Sequence, residues 1–161
     1  MSGLQGPDAG GSRRESILSL LGILVVLAIT VAVYWQVAGH GFVNFDDDDY
    51  IFLNPMVKQG VTSQGMAWAF SFTNSSYWHP LTWLSHMLDC RMFGLDAGMH
   101  HLMNLVIHLA NVMLLFVVLW LMTNSPARSA FVAALFALHP INVDTVAWVS
   151  ERKNLLSTML W

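Results

Sequence analysis

Two long stretches without Asp, Glu, Lys or Arg dominate the pattern of hydrophobic and polar positions along the chain. The first covers residues 17–38, and the second covers residues 100–122 and ends at a polar stop that contains Pro126. A helix rises about 1.5 Å per residue, so each stretch is long enough to cross a hydrocarbon core roughly 30 Å thick. The pattern therefore predicts two transmembrane helices.

Two weaker apolar segments follow the second long stretch. Residues 129–141 predict a third, shorter span that tilt and polar flanks can accommodate, and residues 153–161 predict the start of a fourth. That last segment stops without a cap or a polar flank, so we expect the chain to be a piece of a longer protein. Residues 1–16 are rich in glycine and poor in apolar side chains, which predicts a disordered tail.

A cleaved signal peptide is the alternative for the first span. Its apolar core would measure about 7 to 15 residues, and the run 17–38 is longer, which favours an uncleaved anchor.

The loop 39–99 between the two strong spans is rich in aromatic side chains, which favour a membrane interface. Helical spacing of its apolar residues predicts short helices over 65–72 and 79–92 that lie along the surface. The expected fold class is all-α, a polytopic transmembrane helical bundle whose outer loop carries short interfacial helices.

Composition agrees with a membrane protein. Of the 161 residues, 55% are hydrophobic and 11% are charged, whereas soluble domains carry about a quarter charged residues. The net charge of −3 offers no basic surface for nucleic acid, so no DNA or RNA partner is expected. Membrane lipid is the expected surrounding.

Basic residues near the spans predict the orientation, since they are retained on the cytoplasmic side during insertion. Arg13 and Arg14 place the N-terminus in the cytoplasm and the loop 39–99 outside the cell or in an equivalent compartment. Arg128 then lies in an inner turn. Arg152 and Lys153 fall on the outside, against the rule, which calls for a functional reason.

Four consecutive carboxylates, Asp46, Asp47, Asp48 and Asp49, follow the first span directly. Adjacent carboxylates repel one another, and such a cluster suits a general base or a divalent cation. A solvated acidic turn is an equally weighted alternative at this stage.

A polar face runs along the second span at His100, Asn104, His108 and Asn111, which share one side of a helix. Side chains of this kind at membrane depth face protein or a water-filled cavity. Hydrogen bonding between helices is the favoured interpretation. The outermost histidines, His100 and the adjacent His101, are candidates for lining a site.

A third group of polar residues lies near the outer ends of the short spans, at His139, Asp144, Arg152 and Lys153. The planar fork of arginine matches phosphate oxygens, so a lipid-linked phosphate at this depth would explain the outer cations. Snorkelling of the basic side chains to headgroups is the alternative. His79 in the outer loop is a weaker candidate.

Taken in order, several stretches resemble the polytopic GT-C glycosyltransferases. The resemblance is strongest to the protein O-mannosyltransferase-like membrane domain that precedes tetratricopeptide repeats. The matching stretches are Gly41 to Asp47 with Tyr50 and Asn54-Pro55, His79 to Thr82, Phe93 to Leu95, His100 to Leu105 with His108, and Ala137 to Lys153.

This resemblance implies a GT-C-like N-terminal part of a membrane domain. It implies Asp46 and Asp47 as the catalytic acids, one of them the base that deprotonates an acceptor hydroxyl. It also implies a sugar donor carried on polyprenyl phosphate, held by Arg152, Lys153 and Asp144, and a protein or glycan acceptor. Asp48 and Asp49 extend the acidic run beyond the family's pair, and Asp144 stands where a glutamate is frequent.

The expected function is therefore sugar transfer on the outer face of the membrane, with the fragment inactive alone. Two rivals are open: a transporter or channel piece with an acidic outer vestibule, and a membrane anchor without chemistry whose repeat region binds partners. Asp48, Asp49, His79, His100, His101 and His139 are the residues expected to line the site, and a divalent cation at residues 46–49 is the expected cofactor. Zinc at His100 and His101 is a weaker alternative, because this motif lacks a third ligand at a recognised spacing.

Overall fold

The computed structural model of the chain describes residues 9–71 and 78–161, with side chains from Ile17 onward. Every regular element in these ranges is helical, which confirms the all-α prediction. The α-helices are α1 (Ala9–Tyr34), α2 (Pro55–Lys58), α3 (Ser63–Ala69), α4 (Pro80–Phe93), α5 (Ala97–Thr123), α6 (Pro126–Leu138), α7 (Asn142–Ala147) and α8 (Arg152–Leu160). Short 3-10 turns cover Trp35–Gly39 and Val149–Glu151, and a π turn covers Asp48–Phe52.

Helix α1 begins eight residues earlier than the predicted span. Residues 9–16 were expected to belong to the disordered tail, and their backbone continues the helix instead. Adding turns to an existing helix is much easier than starting one, so a long apolar helix can extend into a glycine-rich flank. Residues 1–8, the rest of the predicted tail, lie outside the described ranges.

Two of these helices are long and apolar enough to cross a membrane, at Ile17–Gly39 and Ala97–Thr123. In their most apolar windows only 22% and 28% of the residues are buried. The core helix of a soluble protein would be mostly buried, whereas large side chains such as Leu18, Leu24 and Val25 are more than half exposed. Such exposed apolar surface fits contact with lipid.

The helix ends follow local capping chemistry. Asp96 caps α5, where its Oδ1 accepts a hydrogen bond of 3.1 Å from the backbone N–H of Met99. Pro126 was predicted as a helix stop, and it also opens α6, since proline suits the first turn. Helix α6 ends at Leu138, three residues before the predicted end of the third span at 141, because the residue before Pro140 disfavours helical geometry.

The apolar helices pack through small side chains. Helix α6 contacts both α1 and α5. Ala133 and Ala137 on α6 are fully buried against Ile23, Val112 and Phe116. Small residues let helix backbones approach closely, which is the usual way for helices to associate within lipid.

The loop 39–99 forms its own core around α4. Tyr50 stacks on Trp83, with ring centres 4.5 Å apart, and Trp68 meets Trp83 edge-on at 5.1 Å. Ile51, Val57 and Met87 are fully buried beside them. The segments predicted as short helices over 65–72 and 79–92 appear as α3 and α4, and this aromatic cluster ties the segment after the first apolar helix to α4.

The polar face of α5 joins it to its neighbours, as the favoured interpretation predicted. His108 Nε2 lies 3.1 Å from the carbonyl oxygen of Ala137 on α6. The side-chain amide of Asn104 donates to the carbonyl of Trp148 at 2.9 Å, and that of Asn111 donates to the carbonyl of Leu155 on α8 at 2.9 Å. These bonds satisfy backbone carbonyls inside the protein, and the bond from Asn111 fixes α8 against α5.

Candidate functional site

The site starts from an unusual turn at Asp46. This residue has a φ of 65°, and the N–H of Asp47 donates to the carbonyl of Phe45 at 2.8 Å across it. A three-residue turn with positive φ at its centre is rare and strained, and a side chain held there needs support from its surroundings. Here the turn presents the half-buried carboxylate of Asp46 to a cavity.

Asp47 supplies that support. Its side chain is fully buried, and Oδ2 accepts a hydrogen bond of 2.9 Å from the N–H of Val43. Oδ1 accepts from the backbone N–H of Ser150 at 3.0 Å and also from the Ser150 hydroxyl. The carboxylate thus holds the turn between Val43 and Asp47 and connects it to Ser150, which lies 103 residues later in the chain.

That link brings a cation to the acidic loop. Lys153 follows Ser150 by three residues, and its Nζ lies 5.4 Å from the centre of the Tyr50 ring and 3.0 Å from Glu151 Oε1. A lysine over an aromatic face is held by the negative charge density of the ring. Lys153 keeps about a quarter of its side chain exposed, so it can reach a ligand.

Asp46 and Lys153 line one cavity of about 550 Å³. A cavity of this size holds a small ligand. Burial and the positive charge of Lys153 lower the pKa of His79, so its imidazole is neutral at pH 7. The lining residues are Phe45, Asp46, Tyr50, His79, Lys153, Asn154 and Ser157.

Arg152, predicted as a phosphate ligand, is fully buried away from this cavity. Its guanidinium is ion-paired with Asp89 and donates to Asn104 Oδ1 at 2.7 Å and to the carbonyl of His100 at 2.8 Å. A further bond of 3.1 Å reaches Ser85. These partners direct Arg152 into the protein, and Lys153 is the cation that faces the cavity.

The other predicted residues spread over several places. Asp48 is half-buried and bonds the N–H of Asp49, while Asp49 is exposed beside a second cavity next to Trp68. Asp144 is exposed on α7, and His139 lines an apolar recess near α6. The structure therefore does not gather Asp46 to Asp49 around one point, and a cation there stays a prediction.

His100 and His101 lie inside the protein. His100 Nε2 lies 3.0 Å from the carbonyl oxygen of Gly94, and His101 Nε2 lies 3.2 Å from that of Gly41. Both side chains are fully buried. They hold the start of α5 against the loop 39–99, and neither lines the cavity that contains Asp46.

Sequence reasoning missed four residues of the cavity wall, which are Phe45, Tyr50, Asn154 and Ser157. Tyr50 lies one helical turn after Asp46, and this spacing indicated that the two side chains could share one face. Asn154 and Ser157 follow Lys153 on α8, at spacings that share a helix face, but they were treated only as the start of a span. No local signal places them opposite the acidic loop, because that contact depends on the long-range bond between Asp47 and Ser150.

The chain is similar in sequence to curated animal proteins. Human protein O-mannosyl-transferase TMTC3 is 29% identical over 152 residues, which is 89% of this chain and 16% of the human protein. The mouse protein of the same name is 30% identical over 147 residues, 86% of this chain and 16% of its own length. Drosophila melanogaster protein O-mannosyl-transferase Tmtc1 is 28% identical over 151 residues, 88% of this chain and 17% of its own length.

The chain is related to the TMTC protein O-mannosyl-transferases. The resemblance predicted from the sequence is thereby confirmed. No family model matches the chain, and no solved structure matches it. Because the chain spans about 16% of the length of the human and mouse TMTC3 proteins, this relationship concerns one segment of them.

The buried hydrogen bonds of Asp47 predict how much this side chain contributes to stability. Asp47→Ala leaves the N–H groups of Val43 and Ser150 without their buried acceptor. We expect this to lower the free energy of unfolding by about 3 kcal/mol. The measurement is the unfolding midpoint in detergent micelles, and Asp49→Ala is the matched control because that side chain is exposed. Equal midpoints for the two variants would contradict a supporting role of Asp47.

Proposed function

We propose that this chain carries the general base and the phosphate-stabilising cation of a membrane glycosyltransferase. The enzyme moves a sugar from a polyprenyl-phosphate-linked donor to a hydroxyl of a protein or glycan on the outer face of the membrane. One observation carries the proposal: Asp46 and Lys153, about a hundred residues apart in sequence, line the same cavity. The similarity to proteins named protein O-mannosyl-transferases supports sugar transfer as the reaction class.

The chemistry needs a base on one side and charge stabilisation on the other. Asp46 accepts the proton of the acceptor hydroxyl as its oxygen attacks the anomeric carbon. The bond from that carbon to the phosphate oxygen breaks in the same step, and the polyprenyl phosphate leaves with the electron pair. Lys153 stabilises the negative charge on the leaving phosphate, and neutral His79 can donate a hydrogen bond within the cavity.

Asp47 and Arg152 support this step without touching the substrate. Asp47 holds the strained turn that presents Asp46 and fastens it to Ser150. Arg152 anchors the start of α8 through Asp89 and α5 and so fixes the position of Lys153, the next residue. The catalytic pair suggested by the resemblance is therefore divided into one base, Asp46, and one positioning residue, Asp47.

The proposed setting is a multi-pass membrane protein. The exposed apolar surfaces of α1 and α5 face lipid, and Arg13 with Arg14 keeps the N-terminus in the cytoplasm. The acidic loop, α2, α3 and α4 then lie outside, where a polyprenyl-linked donor can present its sugar. Helix α6 has 13 residues, which suits a short or tilted crossing.

The stereochemistry of the product tests the mechanism. A single displacement inverts the anomeric carbon, so the full-length protein, given polyprenyl phosphate mannose and a hydroxyl-bearing peptide, is expected to form a product of opposite anomeric configuration. Nuclear magnetic resonance of the glycopeptide measures the configuration at that carbon. A product with the donor's configuration would contradict direct attack assisted by Asp46, and the absence of any transfer would favour the transporter or anchor interpretation.

A further inference from the structure

A second group of polar side chains lies outside the cavity, between α4 and α5. His86 and Asp89 are one turn apart on α4, and His100 is near the start of α5. His86 and His100 are fully buried, and Asp89 is 1% exposed. One ligand atom from each of the three lies within 4.8 Å of the other two. Among the described residues this is the one place where three such groups gather so closely.

The hydrogen bonding of His100 leaves one nitrogen available. Its Nε2 lies 3.0 Å from the carbonyl oxygen of Gly94, which can only accept, so Nε2 carries the proton. In a neutral ring Nδ1 then has a free lone pair. Nδ1 has no hydrogen-bond partner, and its distance of 3.7 Å to Asp89 Oδ2 is too long for one. A backbone carbonyl that fixes the far nitrogen is the usual support of a metal-bound histidine.

His86 is the more unusual member. It is fully buried, and neither of its ring nitrogens has a hydrogen-bond partner. Burial together with the positive charge of Arg152 and the neighbouring His100 holds the pKa of His86 well below its ordinary value, so the ring is neutral and offers a lone pair. Buried polar atoms without partners are costly, and a bound ion is one way in which a protein satisfies them.

Asp89 completes the set. Its Oδ2 is bound by Arg152, while its Oδ1 is buried and has no partner. Burial raises the pKa of Asp89, and the guanidinium of Arg152 opposes that rise. Carboxylates that bind a metal through one oxygen are commonly held in place by a hydrogen-bonding partner on the other oxygen, and Arg152 is placed to be that partner.

We propose that His86, Asp89 and His100 bind a divalent transition metal ion of the zinc type. The ligand atoms are a ring nitrogen of His86, Oδ1 of Asp89 and Nδ1 of His100, with a water in the fourth position. Two imidazoles and one carboxylate suit zinc and exclude magnesium or calcium as the preferred ion. Zinc would draw the three atoms to roughly 3.3 Å from one another, as tetrahedral bonds of about 2.0–2.1 Å require.

The ion would lock the outer loop to the membrane helices. The ion joins α4 to α5. Its ligand Asp89 is also ion-paired with Arg152 at the start of α8, and the next residue, Lys153, faces the cavity. The site is separate from the proposed transfer site, because none of the three ligands lines that cavity. The proposal therefore does not rest on glycosyltransferase activity. Its readouts are metal content and stability.

The test uses the full chain, purified in detergent without a polyhistidine tag. Metal content is measured by mass spectrometry, and Co²⁺ added to metal-free protein is followed by its ligand-field absorption. The decisive variant is His86→Phe, since the His86 ring makes no hydrogen bond and phenylalanine fills similar space. His40→Phe, at an exposed histidine, is the matched control for binding at the surface.

The expected result is about one zinc per chain in the unmodified protein and in His40→Phe, and at least a tenfold loss of affinity in His86→Phe. Zinc should raise the unfolding temperature of the first two and leave His86→Phe unchanged. Equal zinc content in all three proteins, or none in any, would overturn the proposal. In that case His86→Phe should match or exceed the stability of the unmodified chain, because two unpartnered polar atoms are removed.

A second variant covers the case in which His86→Phe does not fold. In His100→Gln the amide can still donate to the Gly94 carbonyl, while the ligand nitrogen is lost. Metal-free His100→Gln should fold and give no tetrahedral Co²⁺ absorption. An unchanged Co²⁺ spectrum in this variant would exclude His100 as a ligand and would overturn the site.

Discussion

Asp46→Asn is expected to lower the rate of sugar transfer by the full-length protein by about 100- to 10,000-fold, the usual contribution of a general base. The amide cannot take a proton from the acceptor hydroxyl, although it has the size of the carboxylate. Asparagine also tolerates positive φ, so the strained turn at residue 46 should persist. The measurement is transfer from polyprenyl phosphate mannose to a peptide, alongside the expression level and unfolding midpoint of the variant.

Asp49→Asn is the matched control, because Asp49 carries the same charge and lies beside a different cavity. It should retain nearly full activity. If both variants lost activity equally, the net negative charge of the loop would matter rather than a base at Asp46. The transporter interpretation expects such a dependence on net charge for ion flux. If Asp46→Asn kept full turnover, Asp46 could not be the base.

Arg152→Met is expected to destabilise the protein by about 3–5 kcal/mol, the cost of leaving one member of a buried ion pair uncompensated. The substitution strands the carboxylate of Asp89, which is 1% exposed, and removes the donors to Asn104 and to the His100 carbonyl. Since α8 loses its anchor to α5, activity should fall together with stability. Unfolding in detergent micelles measures the change.

Lys153→Met separates the two adjacent cations. Because Lys153 is partly exposed and faces the cavity, its loss should leave the unfolding midpoint nearly unchanged and reduce transfer. Adding Asp89→Leu to Arg152→Met removes the stranded charge and should recover part of the lost stability. The assignment would be contradicted if Arg152→Met were as stable as Lys153→Met, because Arg152 would then not be a structural anchor.

Local patterns carried enough information to predict several of the helices, although not α2 or α7. The uncharged runs predicted α1 and α5, and apolar spacing predicted α3 and α4 in the outer loop. The spacing of Asn104, His108 and Asn111 also indicated a buried polar face correctly. These features depend on periodicity and on the cost of unpaired polar groups in an apolar setting, both of which can be recognised within one segment.

The individual roles at the site depend on contacts between distant segments, and the sequence does not reveal them. Four consecutive aspartates look alike, yet the bond to Ser150 buries Asp47 and the turn presents Asp46. Arg152 and Lys153 are neighbours in sequence, and only the position of Asp89 on α4 decides which one is buried. The spacing of His86 and Asp89 by one helical turn was a signal for the buried cluster, but its third member comes from α5.

Labelling of a cysteine in the cavity wall tests the central claim most directly. Cys90 is buried and its pKa is raised to about 11, mainly by burial, so this segment offers an unreactive background once cysteines elsewhere in the full-length protein are replaced by serine. In the full-length protein, Ser157→Cys should react with a membrane-impermeant maleimide in intact cells, and polyprenyl phosphate mannose should slow that reaction in membranes. Asp49→Cys, outside the cavity, should react without protection. Labelling of Ser157→Cys only after permeabilisation, or at a rate that the donor leaves unchanged, would contradict an outward-facing donor site between Asp46 and Lys153.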